Sequence, residues 1–168
     1  MNQNVLVSII VLTYKDFSGV KQTMEAILDQ TYSNIEIIVS DDGSDNYSEK
    51  LFLPFQERAK QIGKKILLNH NSKNMGTVKN INGALELVNG DVIGFLGCGD
   101  YYESTEVIRQ IVDEFSRTGA EVVTTKMHGV SVSNPEKVTS LPEKHLVKLL
   151  KEGNWDRIYN KMFNENCF

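Results

Sequence analysis

An α/β fold, a mostly parallel sheet with helices on both faces, is predicted by three features of the sequence. Val5–Val11 is a nearly continuous β-branched run, the composition of a strand buried on both faces of a parallel sheet. Ile35–Ser40 repeats that pattern. Between and after these runs, apolar residues recur at helical spacing, so strands alternate with helices along the chain. Both runs empty into polar residues: Thr13, Tyr14 and Asp16 after the first, Asp41-Asp42-Gly43-Ser44-Asp45 after the second. Ligands of open α/β sheets bind beyond the carboxyl ends of the strands, so these two ends are where a nucleotide pocket is expected.

The elements follow in order. Ser18–Gln30 reads as a helix on the spacing of Val20, Met24, Ile27 and Leu28, with Ser18 as its cap and Phe17 packing back as a staple. Tyr32-Ser33-Asn34 turns into the second strand. A second helix is expected over Asn46–Gln61, broken or kinked at Pro54 and ended by Gly63. Lys65–Leu68 is a short third strand and Asn69–Asn74 a polar loop. Met75-Gly76 opens a helix over Thr77–Val88 with Ile81, Ala84, Leu85 and Val88 as its apolar stripe, closed by Asn89-Gly90-Asp91. Val92–Leu96 is expected to be a fourth buried strand. Ser104 caps a helix running to Phe115 with Val107, Ile108, Ile111 and Val112 inward, and Gly119 stops it. Glu121–Thr125 reads as a fifth strand. Beyond Lys126 the pattern weakens: one edge strand within His128–Thr139 with a turn at Pro135, a helix over Pro142–Lys151, and a helical face of Trp155, Ile158, Tyr159, Met162 and Phe163.

Composition narrows the function classes. The 168 residues suit one domain, and 40% hydrophobic with 24% charged residues supports a normal core. The net charge of -4 argues against a nucleic-acid partner. No run reaches the roughly 18–20 apolar residues of a membrane span, and the amino terminus lacks the pattern of a signal peptide. Cys98 and Cys167 have no partner spacing for zinc, which sets a reduced, cytoplasmic location as the expectation, at most peripheral to a membrane. Asn46-Tyr47-Ser48 matches a glycosylation acceptor by chance in that setting.

Four segments then carry a family likeness. Val7–Tyr14 resembles the opening strand of the family 2 inverting glycosyltransferases, which have the GT-A fold, a Rossmann-like architecture. Gln30-Thr31-Tyr32 through Glu36-Ile37-Ile38-Val39 resembles the family's Q-T-Y-x-x-x-E-I-I-V stretch, and Asp41-Asp42-Gly43-Ser44 its D-D-G-S turn. Asn74-Met75-Gly76 through Asn89-Gly90-Asp91 and Phe95-Leu96 matches its N-x-G … N … G-D … F-L segment. Each is weak alone; four in order over Val5–Tyr102 are specific.

The resemblance implies a nucleotide-diphosphate sugar, a UDP-sugar, as donor and a glycan or lipid-linked acceptor, with transfer to an acceptor hydroxyl under inversion. It places the base against Thr13, Tyr14 and Asp41, with Asp16 and Asp42 beside them. The chemistry agrees: a carboxylate accepts from the uracil N3–H, and a site built for that bond rejects bases lacking it. The start of the helix at Gly76, with Lys79 in its first turn, suits a diphosphate. Taken alone, D-D-G-S reads equally well as a turn with a helix cap.

Two departures stand against the family pattern. Its Asp-x-Asp after the fourth strand, which holds a divalent metal, aligns with Gly97 and Gly99, so Asp100 is the one carboxylate left for Mg²⁺ or Mn²⁺, and the family's frequent arginine aligns with Ile81. No catalytic base is assigned: Glu143, Glu152 and Asp156 sit in no motif, and Trp155–Tyr159 resembles the start of the acceptor region, as in a single domain over 1–168 lacking its acceptor part. A degenerate or truncated nucleotide-sugar-binding module, able to self-associate through the apolar surface so exposed, is the alternative; a flavodoxin-like doubly wound protein ranks third. Gly94, Gly97 and Gly99 are in the wrong place and order for a dinucleotide fingerprint. His70, His128 and His145 lack ligand spacing, Cys98 lacks an activating base in sequence and reads as packing, and Tyr101-Tyr102 suits either a sugar platform or a loop anchor.

Overall fold

A computed structural model describes residues 5–131, 133–134, 138–142, 144–154 and 156–158. The chain divides into two compact units, Met1–Glu121 and Val122–Phe168. In the first, strands β1 (Val7–Thr13), β2 (Ile35–Asp41), β3 (Lys65–His70) and β4 (Val92–Gly97) form an all-parallel sheet in the order β3-β2-β1-β4. Helices α1 (Val20–Leu28), α2 (Leu53–Gln61), α3 (Thr77–Leu85) and α4 (Val107–Thr118) connect and cover it.

The alternation of side chains along β1 and β2 builds two apolar layers. Val7, Ile9, Val11, Ile35, Ile37 and Val39 face one way, against Val20, Met24, Ile27 and Leu28 of α1, Phe52 and Ala59 around α2, and Ile108 and Val112 of α4. Ile10 and Ile38 face the other way, against Ala84 of α3 with Leu12, Leu67, Leu87 and Val88. The expected stack of helices on both faces is therefore present, three on one side and α3 on the other.

Several expectations are corrected in detail. Ser18 does not cap α1; its N–H donates to the Asp16 carboxylate (2.9 Å), and the helix begins after Gly19 with no side-chain cap. Phe17 instead packs on the core and the Tyr47 ring. Pro54 does not interrupt a helix but sits in the first turn of α2, where a missing N–H costs nothing; a single 3₁₀ turn, Glu49–Leu51, precedes it. β3 runs on to His70, into what reads as loop. Ser104 stands outside α4, whose first residue is Val107. Gly119 closes that helix in the left-handed region (φ 65°), as expected.

β4 is not buried on both faces. It is the last strand of this sheet, and Ile93 and Phe95, in register with Ser8 and Ile10, are 41% and 50% exposed beyond the cover of α3. Glu121–Thr125 is not a strand: a β-branched run needs a partner, and Val122 is exposed. In the second unit, β5 (Met127–Val130) and β6 (Val138–Leu141) form an antiparallel pair rather than one edge strand, followed by α5 (Lys144–Lys151). Pro135, Trp155, Tyr159, Met162 and Phe163 lie outside the described residues. Among the described residues no helix is long and apolar enough to cross a membrane.

Lys64 locks α1 to the sheet. Its buried ammonium donates to the carbonyls of Leu28 and Gln30 (both 2.9 Å) and Ile27 (3.4 Å) at the open end of the helix. Burial pushes its pKa down to about 8. Lys64→Met is expected to lower stability by about 2–3 kcal/mol in a denaturant titration, because three carbonyls lose a charged donor. A depressed folded pKa means the unfolded chain binds more protons between pH 8 and Lys64's ordinary 10.5, so this group's contribution to stability rises with pH across that window.

Candidate functional site

The parallel register brings Thr13 opposite Asp41 at the carboxyl ends of β1 and β2. The strand period decides what each does. Asp41 follows Ile37 and Val39 on the face packed by α1, α2 and α4, and its side chain is fully buried. It accepts from the Thr13 hydroxyl (3.0 Å), the Ser44 hydroxyl (2.6 Å), the Ser44 N–H (2.8 Å) and His70 Nδ1 (2.8 Å). A carboxylate has about four lone-pair positions, so Asp41 has none left for a ligand. Burial raises its pKa, and the bonds from Ser44, His70 and Thr13 outweigh that and hold it below the ordinary carboxylate value. His70, exposed on one side, stacks on Tyr47 with ring centroids 4.3 Å apart.

Asp42 points the other way, toward α3. Its Oδ1 accepts from Met75 N–H (2.8 Å) and Asn71 Nδ2 (3.1 Å), and its Oδ2 from Gly76 N–H (2.9 Å). Three donors leave one acceptor position, on Oδ2. Gly43 lets the chain turn here: at φ 74° it lies so close to the loop before α3 that a Cβ would stand 2.2 Å from the Lys73 carbonyl carbon.

A cleft of about 210 Å³ opens at this point, lined by Leu12, Thr13, Tyr14, Asp42, Asn74, Gly76, Thr77 and Asn80. Tyr14 presents a 41% exposed side chain at its wall. Asn80, buried in α3, fixes the floor: its amide donates to Ser40 O (3.0 Å) and its oxygen accepts from the Ser40 hydroxyl (2.7 Å) and Asn71 (3.1 Å). Sequence reasoning passed over Asn80, though it lies four residues before Ala84 and so on the inward stripe of the helix, where a polar residue must have a partner.

Of the residues expected at the site, Thr13, Tyr14, Asp42 and Gly76 line the cleft; Asp16, Asp41, Lys79 and Asp100 do not. Asp16 is tied to Ser18, which holds its pKa low. Lys79 is an exposed residue of the first turn of α3. The Gly76 N–H, expected to meet a diphosphate, is engaged by Asp42, whose negative charge at the start of α3 disfavours a second anion there. Lys15, missed in the sequence, adopts φ 62°, rare for a residue with a side chain. Ser44 Oγ accepts its N–H (2.7 Å) and Asn46 Nδ2 donates to its carbonyl (3.0 Å), while its ammonium lies 4.9 Å from the Tyr14 ring centroid.

The loop after β4 offers a divalent metal one carboxylate, and in this structure that carboxylate is turned inward. Asp100 is turned onto its own backbone: Oδ2 accepts from Gly97 N–H (3.2 Å), and Asp100 N–H donates to Gly97 O (3.0 Å). Gly99 has φ 103°, a conformation strained for any residue bearing a Cβ. Among the described residues no three His, Cys, Asp or Glu side chains gather to hold a metal ion. Burial raises the Cys98 thiol, which packs against the core, in line with a packing role. As for a base, Glu143 lies outside the described residues, Glu152 pairs with Lys148 at 3.8 Å, and Asp156 is exposed.

A family profile described as "Glycosyl transferase family 2" matches residues 8–167. The chain is 33% identical over 106 residues to the UDP-Glc:alpha-D-GlcNAc-diphosphoundecaprenol beta-1,3-glucosyltransferase WfaP of Escherichia coli, covering 63% of this chain and 40% of that protein. It is 26% identical to the putative glycosyltransferase EpsH of Bacillus subtilis, covering 95% of this chain and 48% of that one. The chain thus spans less than half the length of these relatives. S. aureus TarS residues 1–349, solved with UDP, superposes over 76% of this chain and 37% of that one with a TM-score of 0.65 at 22% identity. The mannosyltransferase PcManGT of Pyrobaculum calidifontis, solved with GDP-Man and Mn²⁺, covers 67% of this chain and 32% of that one, with a TM-score of 0.61 at 18% identity. Both share the fold.

Proposed function

The chain belongs to glycosyltransferase family 2, and from that membership we propose that its first unit is the donor half of a transferase that takes a sugar from UDP. One observation carries the donor reading: beside the half-exposed Tyr14 ring, Asp42 offers the cleft a single open acceptor position on a carboxylate fixed by three donors. A uracil N3–H suits that position, and the ring lies against Tyr14 as aromatic faces stack. The name of WfaP, a UDP-Glc-dependent relative, supports uridine. Transfer with inversion needs the acceptor hydroxyl deprotonated as it attacks the anomeric carbon opposite the leaving diphosphate. That base and the acceptor site are assigned to no residue described here.

This reading moves the base contact from Asp41 to its neighbour. It is tested by the ratio of UDP to CDP affinity in the full chain, measured by titration calorimetry for the parent and Asp42→Asn. An amide at Oδ2 donates where the carboxylate accepts, which opposes uracil N3–H and suits the unprotonated cytosine N3. The UDP:CDP ratio is expected to fall by about 100-fold, the scale of one reversed buried hydrogen bond. An unchanged ratio would remove Asp42 from the base site. A second reading, a binding module without turnover, is favoured by Gly97 and Gly99 in place of acids. UDP release from a UDP-sugar supplied with candidate acceptors separates the two.

A further inference from the structure

We propose that a nucleoside diphosphate held in this cleft is bound without a divalent metal, its charge met by the ammonium of Lys15; the inference rests on the nucleotide reading above.

The loop after β4 carries glycines at 97 and 99, a single acid at 100, and contacts that fasten its backbone. Thr23, buried in α1, donates its hydroxyl to Asp100 O (2.7 Å) and accepts from Gly99 N–H (2.9 Å). Cys98 N–H donates to Leu12 O (2.9 Å). Gly19 lies so close that a Cβ on it would stand 2.4 Å from Gly99 Cα. These contacts hold the backbone of the loop, on which Asp100 turns its carboxylate to the Gly97 N–H. At Gly97, a Cβ would lie 3.0 Å from the Asp100 carboxylate, so a second acid there would have the first swing aside from the Gly97 N–H. Asp16 and Asp100 are the carboxylates whose charges raise the Cys98 pKa, and both already accept backbone N–H groups.

The cleft lining itself contains a carboxylate and no cation, so a diphosphate must find its counter-charge at the rim. Lys15 is placed there by its backbone: the side chain is exposed, with its ammonium over the Tyr14 ring, and its left-handed conformation persists because Ser44 and Asn46 bracket it. Strain sustained by neighbours beside a ligand cleft marks a functional position. The same bracket ties Lys15 to Ser44, hence to Asp41, so the cation and the site's scaffold are set together.

The test is calorimetric titration of the full chain with UDP and with uridine, each in excess EDTA and in excess Mn²⁺. UDP is expected to bind more tightly than uridine in EDTA, and Mn²⁺ to change UDP affinity by less than about threefold. Lys15→Met is expected to weaken UDP by about tenfold while leaving uridine unchanged, with Lys15→Arg restoring UDP and Lys15→Gly, which relieves the backbone, behaving as Met. Tightening of UDP by Mn²⁺ of about tenfold or more overturns the inference, as does a Lys15→Met variant that weakens both ligands equally. Uridine binding with metal-dependent UDP binding would overturn this inference alone; binding of neither ligand would overturn the nucleotide reading with it.

Discussion

Asp41→Ala is expected to lower the stability of the folded chain by about 3–5 kcal/mol, enough to unfold a marginal domain. The carboxylate is fully buried and is the meeting point of β1 through Thr13, β3 through His70, and the following turn through Ser44. Removing it strands the Ser44 N–H and the Thr13 hydroxyl in the interior, each an unpaid desolvation. Asp41→Asn should cost less, about 2 kcal/mol, because one oxygen survives while the amide opposes the Ser44 N–H. The acid limb of the stability curve identifies the cause. A carboxyl whose folded pKa is depressed contributes stability that is present above its unfolded value, 3.8, and is lost as pH falls through the lower folded value. The parent chain should therefore lose stability below pH 3.8 more steeply than Asp41→Asn in urea titrations at successive pH values. Parallel curves would show that Asp41 is not ionised in the fold.

Glu36→Ala should have a comparable effect, about 3 kcal/mol, from the opposite end of the sheet. Glu36 is 4% exposed and accepts from the Ser8 hydroxyl (2.6 Å), the Asn89 N–H (2.6 Å) and the Asn89 amide (3.2 Å). Ser8 Oγ in turn accepts from Gly90 N–H at 2.9 Å. One carboxylate thus joins β2 to β1 and to the turn that feeds β4. Burial raises its pKa, and the bonds from Ser8 and Asn89 bring it below the ordinary value. Besides the loss of stability, hydrogen exchange at the Asn89 and Gly90 amides should accelerate in Glu36→Ala more than exchange in β2, because the turn loses its anchor while the strand keeps its ladder. Uniform acceleration would mean that Glu36 merely adds to global stability.

The parallel sheet was legible because Val7–Val11 and Ile35–Val39 are apolar on both faces, which few other settings permit. The division of labour between Asp41 and Asp42 was legible too, had the period of two been carried past Val39: Ile37, Val39 and Asp41 share the helix-packed face, and Asp42 follows on the other. The family resemblance gave the base to the first aspartate of the turn, and residue type alone does not say which of the two neighbours faces the cleft. The roles of the Gln30-Thr31-Tyr32 stretch were less accessible. Gln30 donates to Ser104 O (2.8 Å) and accepts from Ile108 N–H (3.1 Å) at the start of α4, and the Tyr32 hydroxyl donates to Val5 O (2.6 Å). These are joints across distant segments, and nothing local to three residues encodes them. Lys15 was illegible for a related reason: its backbone is set by Ser44 and Asn46, about thirty positions on.

The close approach of Gly19 to Gly99 has a consequence for descent. Positions 97 and 99 would accept an acid on different terms. An acid at 99 meets a positive φ, one at 97 asks only that the exposed Asp100 carboxylate swing aside, and Gly19 and Thr23 keep their grip on the loop in either case. Position 97 is thus where an acid could be regained with the loop left as it is, and position 99 is where the loop would have to change with it.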